Sequence, residues 1–122
     1  MSRPESVDVE GARKTVAEAL AERPWGFVPD GEVVAGLERE LTRHAEWLLP
    51  VAKSWNDERR RRIGGGNPQL VGYGLLYIHR TMEYGAPDPM RETQAAYVWC
   101  LELARAVGSM VDVVFGVGDD RK

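Results

Sequence analysis

His44 is the residue whose type and position together best suggest proton-transfer chemistry. It occupies an inward position of an apolar seam, between Leu41 and Leu48, and an imidazole titrates where small environmental shifts change its charge. Two roles fit such a residue. It either satisfies a hydrogen bond inside the core or faces a ligand as a base or donor. Tyr73, Tyr77 and Tyr84 follow at spacings of four and seven, so they share one helix face. A stripe of this kind either packs into a core or walls an apolar pocket, its hydroxyls orienting a ligand. A histidine base with Tyr77 or Tyr73 as donor would suffice for a cofactor-independent isomerase or cyclase.

Other catalytic and metal-binding patterns are missing from the sequence. Two histidines and the single cysteine, Cys100, stand far apart, without a Cys-x-x-Cys, His-Glu-x-x-His or Glu-x-x-His pair. Neither a structural zinc site nor a di-iron site is therefore expected, and no cofactor is called for. The run Gly64-Gly65-Gly66 lacks the preceding strand that a phosphate-binding glycine loop requires, and no nucleophile elbow is present. Arg59 to Arg62 beside those glycines would suit phosphate or nucleic acid. Asp57 and Glu58 offset half that charge, however, and no basic or aromatic residues extend the patch. Trp47, one step off the seam, is a candidate for contact with a ligand or partner. Trp99 at the edge of a polar face and Arg80 in a thin polar stripe are candidate contacts for a partner protein or a second copy.

Four predicted helices must position these residues. The first runs from about Val7 to Arg23, with Val9, Ala12, Val16, Ala19 and Leu20 on one face, and Pro24 stops it. Trp25 and Phe27, bracketed by Pro24 and Pro29, are expected to fold back as a lid over one end of the core. A second helix, about 31–62, opens after the cap residue Asp30. It carries the seam Val34, Leu37, Leu41, His44, Leu48, Val51 and Trp55, with a kink expected at Pro50. Asn67 with Pro68, and Asp88 with Pro89, mark the starts of a third helix (about 68–84) and a fourth (about 89–115), each after a glycine stop. The third is apolar nearly all round, and Gly72 and Gly74 within it call for a close neighbour or a ligand as compensation. Together these elements predict an all-α single domain, a four-helix bundle or a related compact helical fold, with a flexible tail over 116–122.

Composition agrees with that class. The chain has 122 residues, 43% of them hydrophobic and 29% charged, with a net charge of −3. One core is within reach at this length, and no global field attracts nucleic acid or anionic lipid. No apolar run approaches the roughly 20 residues of a membrane span. The polar N-terminus has no secretory h-region, and a lone cysteine excludes an internal disulfide, so a cytoplasmic location is expected.

The segment Leu41-Thr-Arg-His44-Ala-Glu-Trp-Leu48-Leu-Pro50, then Gly85-Ala-Pro87, then Leu103 to Asp112, resembles a group of small actinobacterial accessory proteins of natural-product biosynthesis. The resemblance spans roughly residues 31 to 115 and implies an all-helical protein associated with secondary-metabolite loci. The function expected is that of a non-catalytic accessory or binding protein. It would contact a partner protein or a small apolar metabolite through the second to fourth helices, with His44, Tyr73, Tyr77 and Trp47 as ligand candidates. The isomerase or cyclase using His44 is the alternative, and a nucleic-acid-binding regulator using Arg59–Arg62 is a weaker one.

Overall fold

Asp8 caps the first helix by accepting a 2.9 Å hydrogen bond from the Gly11 backbone N–H, which satisfies one orphan donor of the first helical turn. The computed structural model describes residues 8–63 and 68–116. Four helices follow in order: α1 (Val9–Leu20), α2 (Gly31–Ile63), α3 (Pro68–Tyr84) and α4 (Thr93–Phe115). No strand occurs among the described residues. The fold is an all-α bundle, as the periodicities predict. The Gly64 to Asn67 punctuation and the tail beyond Gly116 lie outside the described residues.

The α2 seam does what its spacing predicts. Val34, Leu41, His44 and Leu48 are fully buried, while Leu37, Val51 and Trp55 are partly buried against the same core. Pro50 lies inside the helix, with α2 assigned without a break across it. Its ring removes the bond to the Glu46 carbonyl four residues back. Both residues are exposed, so water can serve that carbonyl. Helix α4 completes the core with Cys100, Leu103, Ala104 and Val107. It packs on each of the other three helices, whereas α1 and α3 do not touch among the described residues.

Two helix boundaries depart from the sequence prediction. Helix α1 ends at Leu20, where Ala21 turns to ψ 142°, three residues short of Arg23. Glu22 and Arg23 are exposed and have no burial to hold a further turn in place. Helix α4 begins at Thr93 rather than Pro89. Asp88 spends its side chain on an Asx turn to the Met90 N–H (2.9 Å), and its carbonyl accepts from Glu92 N–H (2.7 Å). A separate turn therefore precedes the helix. The preceding stop is as predicted: Gly85 adopts φ +76° and donates to the carbonyls of Thr81 and Met82.

The lid over the core is half realised. Phe27 stands edge-on to Tyr97 with ring centroids 6.5 Å apart, and the Arg23 guanidinium lies over its face. Trp25, by contrast, is fully exposed. Phe27 N–H donates to the Pro24 carbonyl, and Gly26 takes φ +84°. Trp25 thus occupies the first corner of a tight turn and points away from the body.

Candidate functional site

His44 lies wholly inside the bundle and belongs to a hydrogen-bonded trio. Trp47 Nε1–H donates to His44 Nδ1 at 3.1 Å, and His44 Nε2 sits 3.4 Å from the Thr15 hydroxyl of α1. An indole nitrogen can only donate, so Nδ1 must present its lone pair and the ring proton must be on Nε2. The neutral imidazole with its proton on Nε2 satisfies both neighbours. Burial, and then the charge of Arg43, lower its pKa below the ordinary imidazole value, against opposing pulls from Asp8 and Glu40. Protonation would also set an Nδ1–H against the indole N–H. Trp47 in turn meets Phe115 edge-on, with centroids 6.2 Å apart. This trio is core architecture joining α1 and α2 to the end of α4.

The tyrosines occupy a different place. Tyr73 is 67% exposed and Tyr77 46%, so the stripe is not core. Both line a groove of about 580 Å³ between α2, α3 and α4. Helix α2 contributes Trp55, Asn56 and Arg59 to its wall, and α3 contributes Tyr73, Gly74 and Tyr77. Along α4 the lining runs Glu102, Arg105, Ala106, Ser109, Met110 and Val113, a single stripe of three- and four-residue steps. The volume is within the usual range of small-molecule sites, about 300–1,000 Å³. Aromatic and aliphatic groups dominate, with polar groups from α2 and α4 among them.

Local chemistry explains how this wall holds together. The Arg59 guanidinium carbon lies 5.0 Å from the centre of the Trp55 ring one turn earlier, a cation–π contact that orders both side chains. Met110 is buried at 4% exposure, and a Cβ built on Gly74 would lie 2.6 Å from its methyl carbon. Gly74 therefore admits a side chain of α4 against α3, which is the close neighbour that a glycine inside a helix calls for. Gly72 has no such neighbour.

Of the ligand candidates read from sequence, Tyr73 and Tyr77 come together, and His44 and Trp47 are set apart from them. Trp47 is 6% exposed, its N–H committed to His44, so it offers no surface to a partner. Trp99 is likewise buried at 9%, its indole N–H donating to the Thr81 carbonyl at 3.1 Å. A contact patch built on Trp99 is therefore corrected: α3 covers it within the monomer. Arg80 is exposed on α3 and outside the groove lining. Tyr84 is exposed and outside it too. In the arginine run, Arg61 pairs with Glu58 at 2.8 Å and Arg59 stacks on Trp55. The side chains of Arg60 and Arg62 lie outside the described residues.

Sequence reading missed Trp55 and Asn56 on α2, and the whole α4 wall from Glu102 and Arg105 to Val113, as site residues. Trp55 with Arg59 at the i, i+4 spacing was a readable signal for the α2 wall. The remaining residues take their role only from how the helices are placed.

Cys100 does not extend the site. Burial, then the nearby Glu38 charge, push its thiol up to about 12, and its Sγ faces the Val34 carbonyl at 3.9 Å. Among the described residues no three His, Cys, Asp or Glu side chains gather as metal ligands, and no helix is long and apolar enough to cross a membrane. No family model, curated protein or solved structure matches this chain.

Proposed function

We propose that this protein is a non-catalytic binding protein that holds an apolar small molecule in the groove between α2, α3 and α4. The observation that carries this reading is the groove itself, about 580 Å³ in volume and walled by Trp55, Tyr73 and Tyr77. Large half-exposed aromatic side chains around a concave surface are costly to leave in water, and a flat apolar ligand would cover them. The resemblance to accessory proteins of natural-product biosynthesis supports a secondary metabolite as the occupant. The isomerase or cyclase reading finds less support, because both ring nitrogens of His44 face groove-remote neighbours, Trp47 and Thr15.

Native mass spectrometry of the protein purified from its own host tests the proposal, run beside a Ser109→Trp variant. Ser109 is exposed and lines the groove, so an indole there fills the space without disturbing the core. The expected result is a retained small molecule in the native protein and its loss from the variant. A clean apo mass in both, or a ligand that persists in the variant, would overturn the reading.

A further inference from the structure

The groove's charge runs against that of the whole chain. The molecule carries a net −3, yet the groove is lined by two cations, Arg59 and Arg105, and one anion, Glu102. Both arginines are exposed along the groove, one on α2 and one on α4. Neither makes an ion pair, among the described residues, of the kind that Arg13, Arg43 and Arg61 make. Glu102 stands one turn before Arg105 on α4, also without an ion pair. The face of the Arg59 guanidinium is covered by Trp55 at 5.0 Å. Such stacking leaves the edge N–H donors available, in the fork that matches a carboxylate or sulfonate. The rings of Tyr73 and Tyr77 line the same groove as these donors.

We propose that the occupant of this groove is a planar aromatic acid. Its rings pack among Trp55, Tyr73 and Tyr77, and its anionic group accepts hydrogen bonds from Arg59 and Arg105. This inference rests on the groove being a ligand site, as proposed above. A neutral apolar metabolite would leave the groove with one cation in excess of the single Glu102, and a cationic one would add to that excess. An extended nucleic acid has no continuing basic track to follow, given the acidic balance of the chain.

Two dyes differing only in the acid group test the proposal by fluorescence titration: anilinonaphthalene sulfonate and the neutral N-phenyl-naphthylamine. The expected result is a roughly tenfold preference for the sulfonate, the scale of charge-assisted hydrogen bonds in a half-open site. Arg59→Gln and Arg105→Gln should each cut that preference by about threefold, and added salt should reduce it. Arg80→Gln, the same charge change outside the groove, should leave it unaltered. Equal affinity for the two dyes, both expelled by Ser109→Trp, would overturn the acid while leaving the ligand groove standing. A sulfonate preference indifferent to Arg59→Gln and Arg105→Gln would overturn the acid as well. Dyes that still bind the Ser109→Trp variant undiminished would overturn both the groove and its proposed occupant.

Discussion

Replacing His44 by leucine removes the acceptor of the Trp47 indole N–H, and the structure gives that loss a size. The bond is 3.1 Å long between two buried side chains, one 0% and the other 6% exposed. A buried donor left without an acceptor costs about 1–3 kcal/mol. Thr15 should lose little, since its hydroxyl can rotate to a carbonyl of its own helix. Leucine repays part of the cost by bringing no polar atom into the core, so a net loss of about 2 kcal/mol is expected. In a chain of this size that lowers Tm by about 8 °C. The assay is urea unfolding of four proteins: wild type, His44→Leu, Trp47→Phe and the double variant. Phenylalanine has no N–H to strand, so His44→Leu should cost little in the Trp47→Phe background. The cycle should yield a coupling energy of about 1–2 kcal/mol at unchanged m. Dye binding in the groove should survive His44→Leu at temperatures where the variant is folded. An additive cycle, or a His44→Leu variant as stable as the wild type, would refute the hydrogen-bonded trio.

The same histidine should make stability depend on pH. Its folded pKa is lowered from 6.5 by burial and Arg43, so the unfolded chain binds the proton more readily. The stabilisation is complete above the unfolded pKa and is lost as pH falls from there through the folded value. Wild type should therefore lose stability relative to His44→Leu on going from about pH 7.5 to pH 5, and parallel curves would contradict the assignment. Cys100, with its thiol pushed up to about 12, should react with an aromatic disulfide reagent only as fast as the protein opens. Labelling at the rate of a free thiol in native buffer would show that the core is not closed around it. Trp25→Ala should change stability by less than about 0.5 kcal/mol, as expected for a side chain with nothing packed on it. Trp99→Phe should cost about 1 kcal/mol by removing the indole N–H from the Thr81 carbonyl, which keeps its bond from the Gly85 N–H, and a variant as stable as wild type in chemical denaturation would count against that placement.

What could be read before folding was periodicity and punctuation. The α2 seam from Val34 to Trp55 and the Gly85 stop are properties of single segments, and the structure keeps them. Exposure of the tyrosine stripe is different in kind. Tyr73 and Tyr77 are spaced like core residues, and only the positions of α2 and α4 leave them facing a groove. The reverse holds for Trp99, which flanks polar residues in sequence yet is covered once α3 lies across it. Asp88 and Pro89 were misread as a helix start because an Asx turn and an N-cap use the same residue types. Trp25 was misread because hydrophobicity alone does not distinguish a lid from the corner of a turn.

Helix α4 is the last of the four described helices and packs on all three others, as α2 also does. During synthesis, α1, α2 and α3 emerge first, and two of them have no contact with one another. The Phe115 ring that meets Trp47, and the Gly116 carbonyl that receives Arg13, belong to the final turn of α4 and the residue after it. Until that stretch clears the ribosome, the faces of α1, α2 and α3 that α4 covers remain open, and completion of the core must wait on contacts between distant parts of the chain. A ribosome that stalls within α4 would therefore present the cell's quality control with three helices and an open core, rather than with a bundle missing one edge.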